Sequence, residues 1–204
     1  MAQSSEAYVR HLFERSIALK RRVADEQAAT IVRMAEIAAD AIHAGGKLLL
    51  CGNGGSAADA QHFAAELLVR LRPHVNRPPL PAISLNFDMS SVTACANDYS
   101  FEEYWERLIQ AVGNPGDVLI AISTSGRSPN IVRALIAARA KGITTLGLLG
   151  GEGAPALQEC DLALLVPASE TGRVQEAHIT IGHALLELVE EMWLARQSTP
   201  VPLI

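Results

Sequence analysis

The sequence predicts an α/β fold: a doubly wound, parallel five-stranded sheet flanked by helices, with a helical extension at the N-terminus. Three observations lead there. From about residue 46 onward, short apolar runs alternate with helical periodicities, the order of parallel strands joined by crossover helices. Polar turns rich in glycine or hydroxyl groups follow the first and third runs, where open α/β sheets bind their ligands. The composition is 49% hydrophobic, 19% charged and 4% aromatic, which suits strands wrapped by helices or broad subunit contacts.

The elements follow in order. Residues 5–44 read as helix, because Val9, Leu12, Phe13 and Ile17 form one stripe at helical spacing and Ile31, Ala35, Ala38 and Ile42 another. A break is expected near 23–25, and Gly45-Gly46 stops the segment. This extension, 1–45, has little sheet of its own to cover, so its expected use is packing against another subunit. Residues 47–51 are the first strand. The next helix is expected to start at Ser56, with Asp59 completing a capping box, and to run to about Leu71. A proline-rich loop over 72–79 leads to a strand at 82–85 and short helices over 90–96 and 101–112. Pro115-Gly116 turns the chain into a strand at 118–123. A helix over 130–141, a strand at 144–149, a short helix near 154–159 and a strand at 162–166 complete the alternation. The last helix, 171–196, carries Val174, Ile181, Leu185, Leu188 and Met192 on one side. One domain, 46–197, therefore follows the extension, and a tail at 198–204 with two prolines is expected to be loose.

Several classes drop out. A net charge of −5 over 204 residues lacks the basic footprint of a dedicated nucleic-acid binder. Cys51, Cys95 and Cys160 are widely spaced with no CxxC pair, so each reads as buried and reduced. Residues 1–20 include Arg10, His11, Glu14 and Arg15 and so lack the apolar core of a secretory signal. No run approaches the roughly 18 apolar residues of a membrane span. The expectation is a soluble, cytoplasmic protein.

Chemistry concentrates in a few segments. Cys51-Gly-Asn53-Gly54-Gly55-Ser56 breaks out of the first strand into a helix start, where glycines admit an anion and unpaired N–H groups receive it. Ser123-Thr124-Ser125-Gly126-Arg127-Ser128 clusters four hydroxyls at a second strand-to-helix turn. Neither turn is a Walker loop or a dinucleotide fingerprint, so both suggest a small phosphorylated ligand held without a nucleotide. His62 and Glu66 lie four residues apart on one helical face. On the last helix Gln175 and His183 are about 80° apart around the axis. Two His, one Glu and one Gln suit a divalent metal such as zinc, though a buried histidine is more often a satisfied core residue. Asn97 and Asp98 close a short helix, as sugar-hydroxyl partners or simply as a helix end. Arg127 and Arg173 are candidates for anion binding or exposed charge.

Taken together, Cys51 to Ser56, Gln61 to Glu66, Ala96 to Asp98, Ser123 to Ser128 and Arg173 to His178 with His183 resemble the sugar isomerase (SIS) domain, and more narrowly the bacterial phosphoheptose isomerases. The resemblance runs over about residues 45–195, with the N-terminal helical pair also in place. It implies an aldose–ketose isomerisation of sedoheptulose 7-phosphate to a glycero-manno-heptose 7-phosphate. It further implies that Ser123, Thr124, Ser125 and Ser128, helped by Ser56, hold the phosphate, and that Asn53, Gly54, Gly55, Asn97 and Asp98 line the sugar. A zinc ion bound by His62, Glu66, Gln175 and His183, and a homotetramer with sites at subunit interfaces, complete what it implies.

Moving a carbonyl between neighbouring carbons requires proton removal beside it and return on the adjacent carbon, through an enediol. Glu66 and His183 are the titratable pair placed for that acid–base work. Two positions depart from the family pattern: Arg127, where relatives often carry a small or amide residue, and Gly172, where some isomerases carry an acid. The family also holds non-enzymatic tetramers resembling the initiator-associating protein DiaA, which bind the replication initiator and can lose the Glu66 and His183 equivalents. Retention of both here favours the enzyme. A sugar-phosphate sensor is the third reading, and it lacks room for a DNA-binding module.

Overall fold

In the computed structural model, which describes residues 4–86 and 88–197, five strands pair in parallel in the order β2-β1-β3-β4-β5. They are β1 (Leu48–Gly52), β2 (Ala82–Ser84), β3 (Val118–Ser123), β4 (Thr144–Gly150) and β5 (Leu162–Val166). The chain steps outward from β1 to β2 and then returns past β1 to β3, so the winding reverses between β1 and β3. Gly52 pairs with Ile122 in that register. The loops that leave β1 and β3 therefore emerge side by side, at the point where such sheets bind ligands.

Among the described residues, six α-helices cover the two faces: α1 (Ser5–His43), α2 (Gly55–Leu68), α3 (Met89–Asp98), α4 (Tyr104–Val112), α5 (Pro129–Ala140) and α6 (Thr171–Ala195). Successive strand residues point to opposite faces, which splits the interior in two. Leu48, Leu50, Ile120, Ile122 and Leu148 pack with α1, α2 and α6. Leu49, Cys51, Leu119 and Ala121 pack with α3, α4 and α5. Cys51 and Cys95 are buried and all three cysteines are free, with burial raising the Cys51 thiol pKa and pushing that of Cys160 up to about 12. Among the described residues, no helix is long and apolar enough to cross a membrane.

Strands three and five fall where the sequence places them, and β1 and β4 each run on to a glycine. Three expectations change. The break near 23–25 does not occur: α1 runs unbroken, having no glycine or proline in its length, with Val23 buried at the supposed break. The capping box at Ser56 does not form either. Gly54 is the N-cap, Ser56 is the second helical residue, and no side chain caps the first turn. Finally, α2 ends at Leu68 rather than Leu71, because its last carbonyls turn to other donors: Leu67 accepts from the N–H of Leu80 and from the Arg77 guanidinium. The 198–204 tail lies outside the described residues.

The two stripes of α1 part company. Met34, Ala35, Ala38, Ala39 and Ile42 join the core beside α6, so the second half of the extension belongs to the body of the domain. Val9, Phe13 and Ile17, joined by Tyr8, face outward with 51 to 67% of their surface exposed.

Candidate active site

At the switch point the loops after β1 and β3 are latched together. Asn53 Nδ2 donates to Asn130 Oδ1 at 3.0 Å, and Asn130 Nδ2 donates to Asn53 Oδ1 at 3.1 Å. Asn130 Oδ1 also accepts from the N–H of Ile131 at 3.0 Å, fixing the amide at the start of α5. Behind the latch lies a cavity of about 230 Å³, lined by Asn53, Gly54, Gly55, Ser56, Ser123, Thr124, Ser128, Thr171 and Gln175.

Three helices start at this cavity: α2 after Gly54, α5 after Ser128 and α6 at Thr171. None has its N-cap side chain bonded to its first turn, and none carries an acid in its first turn. Unpaired donors and three positive dipole ends thus converge on one small polar space, the physical description of an anion site. Ser56 and Ser123 are buried there; Ser123 Oγ accepts from the Gly126 N–H at 3.0 Å, which leaves its proton free to donate. The space suits a phosphate with a few attached carbons and is small for a dinucleotide. Gln175 closes one side: its amide lies so near Gly55 that a Cβ at that position would overlap it.

Further along the same two helices is a second cluster. The tip of the Phe63 ring of α2 abuts Gly182 of α6, where any side chain would collide with it. That close approach brings the neighbouring residues together. His62 Nε2 and His183 Nε2 are 2.8 Å apart, and Glu66 Oε1 is 3.5 Å from His62 Nε2. The ligand atoms of the three residues lie within 4.8 Å of one another. His62 is 41% exposed and Glu66 18%, so the cluster opens to solvent on one side. Two imidazole nitrogens at this distance cannot both carry a proton: one donates to the other, or both present lone pairs to a cation. Two nitrogens and a carboxylate oxygen are a zinc-type donor set, and the residues fit a divalent metal.

The other expected residues divide. Gln175 forms one side of the phosphate cradle. Ser125 is exposed, and its Oγ accepts from the Arg127 N–H at 3.2 Å instead of lining the cavity. Asn97 and Asp98 sit exposed at the end of α3, bonded to each other at 2.7 Å, with Asp98 on a different cavity of about 590 Å³ beside Tyr99 and Arg107. The guanidinium of Arg173 is engaged by Glu176 at 2.9 Å and the Leu12 carbonyl at 3.2 Å, and Arg127 meets Glu152 at 3.3 Å; neither points to an anion. Gly172 has open space around it, so the loss of an acid there leaves no structural mark.

Three residues were missed by sequence reasoning. Asn130 ends the hydroxyl loop and looked like an ordinary first-turn residue, and Thr171 was read only as a helix start. Asp59 was read as a cap partner, yet one of its oxygens is buried without a hydrogen bond. Burial raises its pKa, while His62 and His183 act in the opposite direction, so it stands within the field of both histidines. Its position three residues before His62, on the same face, was the available signal.

Comparisons with known proteins agree with this geometry. A family model described as the SIS domain matches residues 11–150. A phosphoheptose isomerase of Chlorobaculum parvum is 53% identical over 178 residues, covering 87% of this chain and 85% of the relative. One from a Roseiflexus species is 47% identical over 193 residues, covering 93% and 97%. Among solved structures, the phosphoheptose isomerase GmhA from Neisseria gonorrhoeae superposes with a TM-score of 0.86 at 36% identity, over 92% of this chain and 100% of that one. None of these relatives supports the initiator-binding alternative.

Proposed function

The chain belongs to the SIS-domain family and, within it, to the phosphoheptose isomerases; from that premise we propose that it interconverts sedoheptulose 7-phosphate and D-glycero-D-manno-heptose 7-phosphate through an enediol. The observation that carries this reading is that α2 and α6 each serve both halves of the site. Ser56 and Gln175 line the anion cradle, while His62, Glu66 and His183 cluster further along the same helices. Six residues of α2 separate Ser56 from His62, a rise of about 9 Å, on the scale of an extended sugar phosphate.

In this reading the phosphate is held by Ser56, Ser123, Thr124 and Ser128 and by the first-turn N–H groups of α2, α5 and α6. Ser125 joins only if its loop turns inward. Asn53, Gly54 and Gly55 border the sugar. Glu66 takes the proton from the carbon beside the carbonyl, and His183 handles the proton on the opposite face, each step contributing roughly 10²–10⁴-fold. His62, Glu66, Gln175 and His183 would hold one zinc ion per subunit, which would polarise the carbonyl and stabilise the enediolate. Glu66 has two carboxylate oxygens, so one is free for proton transfer while the other is engaged.

The exposed stripe of Tyr8, Val9, Phe13 and Ile17 supports a homotetramer, since an apolar helix face of that length is covered in the assembled protein. Asn97 and Asp98, away from the cradle of their own protomer, then serve a site across a subunit contact. Three free cysteines fit the reducing cytoplasm.

The test is turnover of sedoheptulose 7-phosphate by the purified protein, with and without zinc, beside Glu66→Gln and His183→Ala. Conversion by the wild type that collapses in both variants supports the reading. A folded, zinc-loaded wild type that leaves the substrate unchanged sinks it.

A further inference from the structure

Arg77 and Glu190 form an ion pair inside the protein. Arg77 Nε donates to Glu190 Oε1 at 2.6 Å, and their side chains are 1% and 0% exposed. The same guanidinium donates from Nη1 to the Leu67 carbonyl at 2.7 Å and the Pro78 carbonyl at 3.1 Å, and from Nη2 to the Glu66 carbonyl at 2.8 Å. The second oxygen of Glu190 accepts from Arg72 Nε at 2.7 Å, and Arg72 also reaches Glu191 at 2.7 Å.

Burying two charges is a poor way to gain stability, because desolvation offsets much of their attraction. What a buried guanidinium adds is direction: its rigid fork fixes several acceptors at once. The acceptors here are telling. Glu66 and Leu67 present the open carbonyls of the end of α2, whose last turn holds no basic residue of its own. Glu190 lies seven residues, two helical turns, beyond His183 on the same face of α6. One side chain from the 70–81 loop therefore ties the helix carrying Glu66 to the helix carrying His183. At the other end of the cluster the same helices are pinned by Phe63 on Gly182. Glu66 and His183 lie between the two pins, and His62 adjoins the Phe63 pin.

We infer that Arg77, acting with Glu190, is a positioning residue that sets the spacing of α2 and α6 and so holds Glu66 against the two histidines. Arg77 touches no substrate atom; it acts through the Glu66 backbone. The inference rests on that cluster being the reacting site.

Two variants test it. Arg77→Met with Glu190→Leu removes both charges together, so neither is left buried alone. Arg77→Lys keeps the charge but cannot hold the carboxylate and three carbonyls with the three N–H donors of one ammonium. Three readouts apply: kcat and KM, cobalt(II) affinity with its visible spectrum, and the imidazole ¹⁵N signals of His62 and His183 in metal-free protein. For both variants we expect kcat to fall about 10- to 100-fold and cobalt affinity to weaken by roughly the same factor. KM should hardly move, because the phosphate cradle is untouched, and the imidazole signals should shift. Ile109→Val, in the opposite core, is the control: it lowers thermal stability and moves none of the three. A folded variant with wild-type kcat and wild-type imidazole signals overturns the inference, and if the double variant fails to fold, Arg77→Lys decides. A wild type without turnover would overturn only the isomerase reading, since the imidazole comparison still decides the clamp.

Discussion

His62 and His183 are 121 residues apart in sequence, yet their Nε2 atoms meet at 2.8 Å. Neither helix alone could bring two imidazoles into that relation. It exists because α2 and α6 cross at Phe63 and Gly182, where the absent side chain lets a buried ring lie directly on backbone. The cluster is thus a consequence of one packing contact, and it can be probed through either partner.

His62 is the member of the cluster with no proposed proton-transfer role, so its loss separates metal binding from acid–base work. His62→Ala should weaken cobalt(II) or zinc affinity at least tenfold and lower kcat, with little change in the melting temperature of the metal-free protein because the side chain is 41% exposed. Equilibrium dialysis against zinc, followed by turnover at saturating metal, is the check. Wild-type affinity would remove His62 from the ligand set.

Gly182→Ala should be damaging despite being a small change. Alanine favours a helix by about 1 kcal/mol over glycine, but the new Cβ falls on the Phe63 ring, which is 1% exposed and has nowhere to move. Overpacking of this kind costs about 1–3 kcal/mol. We expect a net loss of stability in chemical denaturation, a drop in kcat as α2 and α6 separate, and recovery of both when Phe63→Leu is added. Stability unchanged in the single variant would contradict the contact.

Much of this was legible in the chain. Continuous apolar runs and glycine turns placed all five strands, because a strand buried on both faces leaves a strong local signal. The cradle was legible for the same reason: Ser56, Ser123, Thr124 and Ser128 sit at strand ends, and their hydroxyls are out of place in an apolar segment. What failed was whatever depends on contacts distant in sequence. Asp59 three residues after Ser56 fits a capping box by spacing alone, and only the fold shows that the turn is capped by Gly54 and that Asp59 faces the histidines. Asn97 and Asp98 carried a family expectation that one protomer does not satisfy. Arg77, in a proline-rich loop, gave no sign that it would be buried against Glu190.

The Asn53–Asn130 latch should govern phosphate binding rather than chemistry. Asn130→Ala removes both amide contacts and the acceptor for the Ile131 N–H. Losing these buried bonds should cost about 1–3 kcal/mol of stability. It should also loosen the two loops, raising the Kd for inorganic phosphate and the KM for sugar phosphate while leaving zinc affinity intact. Calorimetric titration with phosphate and with zinc on the same sample separates the two. An equal loss of both affinities would mean the latch supports the whole site.

His178 sits fully buried in α6 between the two halves of the site, and neither ring nitrogen has a hydrogen-bond partner of good geometry. Burial lowers its pKa from 6.5 to about 4, with a backbone contact from Leu149 acting weakly the other way. The unfolded chain takes up a proton as pH falls through 6.5, whereas the folded protein does not until about pH 4. Its neutral form therefore sustains stability above pH 6.5, and that contribution is lost progressively down to about pH 4, by roughly 3 kcal/mol in all. His178→Phe removes this titration and leaves the exposed histidines and carboxylates in place. Urea denaturation at a series of pH values should accordingly show a shallower decline for the variant than for the wild type between pH 6.5 and 4. Parallel curves would mean that His178 accepts a proton in the folded protein, and that a partner for it opens inside the core.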